Sequence, residues 1–186
     1  MFEKIIITSD AFSNKSVKNS LLFLAKLHTQ EMWQKLSNIL DNIEQNISHL
    51  FNIKNFWLNN GFLSIFDESL IIKWIGEKEN KRLNVILYLA PDHFLPIKEE
   101  FDMAFYRKLL IKYPDNKRLK QGLHLQASSG FSWGKMSDNL NEKITNLKKL
   151  IKDEKEKIIK DWLEEELNIC NGTLKYIKEE EERVIF

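Results

Sequence analysis

The sequence predicts an α+β fold: an antiparallel sheet, made of a β-meander plus a further strand or strand pair, packed against long N- and C-terminal helices and one middle helix. Three observations predict it. Between Asn52 and Ala90, short runs rich in Ile, Val, Phe, Trp and Tyr are separated by Asn59-Asn60-Gly61 and by the polar stretch from Gly76 to Lys81. β-Branched and aromatic residues suit a pleated, half-buried surface, and Asn and Gly tolerate a tight hairpin turn. From Gly122 to Trp133, apolar Leu123, Leu125, Ala127, Phe131 and Trp133 alternate with polar His124, Gln126, Ser128 and Ser132. Outside these segments apolar residues recur at three- and four-residue spacing, the signature of amphipathic helices.

In chain order, Lys4 to Thr8 reads as a short strand and Ser9 to Ser16 as a polar loop. Val17 to Phe51 reads as helix, with Met32, Trp33, Leu36, Ile39, Leu40 and Ile43 on one stripe and Gln34, Lys35, Asn38 and Asp41 opposite. The pattern leaves open whether Leu21 to Leu27 belongs to that helix or to a separate one ending near His28. After the meander, Pro91 to Pro96 is a connector, because each proline disfavours helix in the residue before it. Pro96 then suits a first helical position, and a helix runs to Lys112 on Ile97, Phe101, Ala104, Phe105 and Leu109. Asp138 is a predicted cap for the last long helix, to about Ile169, whose stripe is interrupted between Asp153 and Lys157. Gly172 is a predicted stop. Residues 1–186 form one predicted domain, with 173–186 an edge strand or a mobile acidic tail.

Composition bounds the function. The chain has 186 residues, 43% hydrophobic and 30% charged, values of a globular protein. Twenty-eight basic against 27 acidic residues leave a net charge of +1, so no whole-molecule field selects a partner. A single cysteine, Cys170, excludes an internal disulfide and a multi-cysteine zinc site and fits a reducing compartment. The first ten residues lack a signal-peptide core, and no run reaches membrane-span length, so the expectation is a cytoplasmic protein without a membrane partner. Asn46-Ile47-Ser48 matches a glycosylation acceptor but falls in predicted helix. Abundant Lys, Ile and Asn with little Ala reflect AT-rich coding, which points to a bacterial or phage source.

Catalytic chemistry is weakly represented. The six glycines form no phosphate-cradling motif. His28, His49, His93 and His124 are far apart and none has a partner at metal-ligand spacing. Asp67 with Glu79-Asn80-Lys81 forms a loose nuclease-like D…E-x-K, but Glu79 and Lys81 fall in a predicted turn rather than on the adjacent strands that a shared cation requires. Asp92-His93 is a candidate acid-base pair in a proline-flanked connector, and Ser128-Ser129-Gly130 lacks the preceding glycine of a nucleophile elbow. Cys170 has no predicted histidine partner. The expectation is a chain with no catalytic centre, no metal and no cofactor.

Charge is unevenly placed. Residues 105–135 carry seven cations against one carboxylate, net +6, whereas residues 161–186 carry eight carboxylates against three cations, net −5. The predicted sheet is apolar on both faces, so one face asks for a partner. Ile71, Lys73, Ile75, Ile86 and Tyr88 form the expected contact set, with Tyr88 as anchor. In layout, though in no motif, the element order is similar to small secretion-chaperone folds and several immunity-protein folds. The expected function is therefore a non-enzymatic protein-binding module of the inhibitor, immunity or chaperone kind, bound to another protein or to a second copy of itself. The alternative is a nucleic-acid-binding or nuclease-associated accessory protein of a restriction or defence locus. It uses Arg107, Lys108, Lys112, Lys117, Arg118 and Lys120 on phosphates.

Overall fold

The computed structural model describes residues 23, 26–42, 66–98, 101–128 and 135–183. Among the described residues there are seven helices and no strand: α1 (Thr29–Asp41), α2 (Glu68–Glu77), α3 (Glu79–Tyr88), α4 (Phe101–Lys112), α5 (Lys117–Ser128), α6 (Met136–Asp153) and α7 (Lys157–Arg183). This overturns the α+β expectation. The two later meander strands are α2 and α3, and the alternating segment from Gly122 to Ser128 is the second half of α5. The predicted strand at Lys4–Thr8, the Asn59-Asn60-Gly61 turn, Asn46-Ile47-Ser48 and residues 129–134 lie outside the described residues. With no strand among the described residues, the likeness in layout to chaperone and immunity folds also falls.

Local chemistry explains why the meander is helical. Asp67 adopts an extended conformation and its Oδ1 accepts the Ser69 N–H at 2.9 Å, an N-cap that starts α2. Ile71, Trp74 and Ile75 are then buried at helical spacing. In α3 the buried side chains are Arg82, Leu83, Val85 and Ile86, two turns of one face rather than one side of a strand. Over so short a window Leu83, Ile86 and Ala90 keep helical spacing while Leu83, Val85, Leu87 and Leu89 alternate at period two, which is how the alternation misleads. The break between α2 and α3 is a single residue, Lys78, at φ −145° and ψ 60°.

The other helices follow their stripes. Met32, Trp33, Leu36 and Leu40 of α1 are buried, and His28 separates α1 from helical residues 26 and 27. Asn116 caps α5 through Oδ1, which accepts the Leu119 N–H at 3.0 Å. At α6 the cap position is Lys135, without a side-chain bond, and the predicted cap Asp138 sits inside the first turn. The interruption predicted after Asp153 is a true break: Glu154 is extended at ψ 128°, and α7 begins at Lys157. Gly172 does not stop α7. It is exposed with open space around it, and residues 173–183 continue the helix.

Aromatic contacts mark the core. Trp33 meets Phe66 and Trp74 at ring centroids of 5.3 and 5.7 Å, while Phe94 meets Tyr106 and Trp162 at 5.8 and 5.5 Å. Tyr106 donates its hydroxyl to the Ile86 carbonyl at 3.0 Å, tying α4 to α3. The Arg82 guanidinium clasps α1, α2 and α3. It donates to both oxygens of Asp41 at 2.8 and 2.7 Å, to Glu77 at 2.7 Å and to the Trp74 carbonyl, and lies 4.7 Å from the centroid of the Trp74 ring. On the far side of α3, Gly122 of α5 approaches Leu87 so closely that an added Cβ would stand 2.6 Å from a Leu87 methyl.

Candidate functional site

Among the described residues, the three helices α5, α6 and α7 bring the largest number of ionisable side chains together. Glu166, in the middle of α7, is wholly enclosed, yet it is charged. Its Oε2 accepts the Nδ1–H of His124 from α5 at 2.6 Å, and its Oε1 accepts the ammonium of Lys143 from α6 at 2.6 Å. Lys143 also donates to the Ala127 carbonyl at 2.7 Å, and the buried Cys170 thiol donates weakly to Glu166 at 3.7 Å. Burial pushes the Glu166 carboxyl up, but the hydrogen bonds and charges of His124 and Lys143 outweigh it and hold the carboxyl below its ordinary value. Burial raises the Cys170 thiol, which makes it a packing residue rather than a nucleophile.

The imidazole of His124 is fixed on every side. Trp162 stacks flat against it at 4.3 Å, and its Nε2 faces Glu165 Oε2 at 3.3 Å. Each group of the cluster is engaged by another, so its chemistry is to lock three helices in register. Sequence reading missed this cluster because it set His124 on a strand face with Gln126, Ser128 and Ser132. On a helix His124 shares a face with Leu119, Leu123 and Ala127, while Ser132 lies outside the described residues. The one available signal was the helical spacing of Leu119, Leu123 and Ala127.

The lock fixes the direction of the helices. Lys120 accepts from Trp162 Nε1 through its carbonyl at 3.4 Å, and His124 meets Glu166. Both pairs are 42 residues apart, so α5 and α7 run parallel in one register. Lys143 to Glu166, with the turn at 154–156, makes α6 antiparallel to α7. The start of α5, the end of α6 and the start of α7 therefore share one end of the bundle. Lys117 and Arg118 are exposed there with the half-buried Lys120, and Lys148, Lys149, Lys152, Lys155, Lys157 and Lys160 are exposed around the α6–α7 turn. Residues 112–120 and 148–161 together hold ten cations and five carboxylates. One of the five, Glu154, is bound by Arg107, whose hydrogen bonds hold its carboxyl down to about 2. Neither first turn, of α5 or of α7, carries a carboxylate.

The residues singled out from sequence divide sharply. Of the expected protein-contact set, Ile71, Ile75 and Ile86 are completely buried core residues, and only Lys73 and Tyr88 are exposed. Of the expected phosphate-binding set, Arg107 is spent on Glu154 and Lys108 bonds Glu68, while Lys112, Lys117 and Arg118 reach the surface. The nuclease-like residues are spread over two helices. Asp67 caps α2, and Glu79 opens α3 and accepts from Asn116 at 3.1 Å. Among the described residues no three His, Cys, Asp or Glu side chains are grouped to hold a metal ion. His93, at φ 56°, donates its N–H to the Gln126 carbonyl and serves the connector's turn. Among the described residues no helix is long and apolar enough to cross a membrane. Comparisons with protein-family models, curated proteins and solved structures return no match.

Proposed function

We propose that the chain is a non-enzymatic accessory protein that binds nucleic-acid phosphates at the basic end of the α5–α6–α7 bundle. The observation that carries the reading is the convergence of Lys117, Arg118 and Lys120 with the six lysines of residues 148–160. Two segments separated by nearly thirty residues of chain add their fields at one end of the bundle, although the whole molecule is almost neutral. The protein-binding reading rested on a sheet with a spare apolar face, and its contact residues Ile71, Ile75 and Ile86 are core. The reading places the protein in a reducing compartment, in keeping with its one cysteine.

Titrating a fluorescent duplex with the purified protein at several salt concentrations tests the reading. Log affinity falls linearly with log salt, by about 0.9 for each phosphate neutralised. The paired reversal Lys148→Glu with Lys152→Glu weakens binding at low salt about tenfold or more and leaves the circular dichroism unchanged. A flat salt response, or equal binding by the reversed protein, defeats the proposal.

A further inference from the structure

Resting on that reading, we infer that the basic end grips a double-stranded nucleic acid across both of its phosphate rows and does not read base sequence. The first ground is the width of the surface. The cations stand on the starts of α5 and α7 and on the end of α6; α6 and α7 pack along their length, and α5 reaches α7 through the His124–Glu166 and Lys120–Trp162 bonds. Packed axes lie about 8–10 Å apart and each helix with side chains is about 10–12 Å across, so α6 and α7 alone span about 20 Å. The phosphate rows of a duplex flank grooves about 6 and 12 Å wide, and both rows fit within that span. A single strand offers one row and leaves half of these cations unmatched.

The second ground is the kind of side chain. Nine of the ten cations in residues 112–120 and 148–160 are lysines, and of the two arginines at this end, Arg118 is exposed and Arg107 is bound to Glu154. Lysine is a flexible point charge suited to phosphates, whereas reading guanine edges favours the rigid fork of arginine. The third ground is aromatic placement. Among the described residues the exposed aromatics are Phe23, Tyr88 and Tyr176, and none belongs to the α4–α5 corner or the α6–α7 turn. Tyr176 stands about 28 Å along α7 from Lys157, at 1.5 Å per residue. Single-strand sites depend on exposed aromatic platforms for stacking, and the one described aromatic in the corner, Tyr113, is half-buried with Lys112 over its ring. The lock at Glu166 keeps the two groups of lysines at one end of the bundle by holding α5 and α6 to α7.

Anisotropy titrations of the full chain at low salt with four probes of equal length or charge decide the matter: a duplex, its scrambled-sequence counterpart, the corresponding single strand and inorganic polyphosphate. The expected result is that both duplexes bind within about threefold of each other and at least tenfold more tightly than the single strand and the polyphosphate. Lys117→Glu with Arg118→Glu, and separately Lys148→Glu with Lys149→Glu, each weaken duplex binding and each make its salt slope shallower. Equal or tighter binding of the single strand or of polyphosphate, a tenfold preference for one duplex sequence, or a slope that responds to only one of the two variants overturns this inference while leaving phosphate binding standing. No binding to any nucleic acid overturns the proposed function itself.

Discussion

His124 of α5 donates its Nδ1–H across 2.6 Å to Glu166 of α7, whose side chain is fully buried, and the same carboxylate holds Lys143 of α6. Removing the carboxylate leaves a buried imidazole and a partly buried ammonium without their acceptor. Glu166→Ala is expected to cost about 3–5 kcal/mol in urea unfolding, the usual penalty for breaking a buried pair from one side. The double change Glu166→Leu with Lys143→Met, which removes both charges and keeps the volume, recovers much of that loss. If the double variant is no more stable than Glu166→Ala, the cluster is not a charge lock.

Acid should unfold the protein in a defined window. Arg107 and the Glu156 N–H hold Glu154 down to about 2 against the opposing push of burial, and Glu166 is also held low. Both carboxyls are lower in the folded state than in the unfolded chain, so their contribution is complete above about pH 4.5 and is lost as pH falls toward 2. For Glu154 it amounts to about 1–2 kcal/mol after allowance for solvent screening. Arg107→Met flattens this acid limb, which unfolding curves between pH 2 and 6 would reveal.

The contact between α3 and α5 depends on the missing side chain of Gly122, since a Cβ there meets the Leu87 methyls. Gly122→Val is expected to destabilise by about 1–3 kcal/mol through overpacking. Adding Leu87→Ala in the same chain returns part of that loss, because it opens the space that valine needs. Additive effects of the two changes in denaturant titrations would show that the helices do not meet at this pair.

The residues once expected to form a single contact surface should behave as two classes. Ile71→Ala, Ile75→Ala and Ile86→Ala each remove buried methylenes and cost about 2–5 kcal/mol. Tyr88→Ala and Lys73→Glu, at exposed positions, stay within about 0.5 kcal/mol of the parent. Thermal unfolding of the five variants separates the classes.

The sequence by itself determined the helices whose stripes are long enough to show their period: Met32 to Leu40, Phe105 to Leu109, and the run from Leu140 to Leu163 with its break after Asp153. It also determined that charge is segregated along the chain. Periodicity lost its power over ten-residue helices, where Leu70 to Ile75 and Leu83 to Leu89 fit a strand as well as a helix, and β-branched content tipped the balance wrongly. The capping pair Asp67 and Ser69 was the local clue to α2. Tertiary structure alone decided that Glu166, flanked by the exposed Glu164 and Glu165, is the buried one, because burial depends on the side of α7 that α5 and α6 cover. It alone decided that the cations of residues 112–120 and 148–160 share an end, because the parallel register of α5 on α7 is set by contacts 42 residues apart, a separation at which no local pattern carries information.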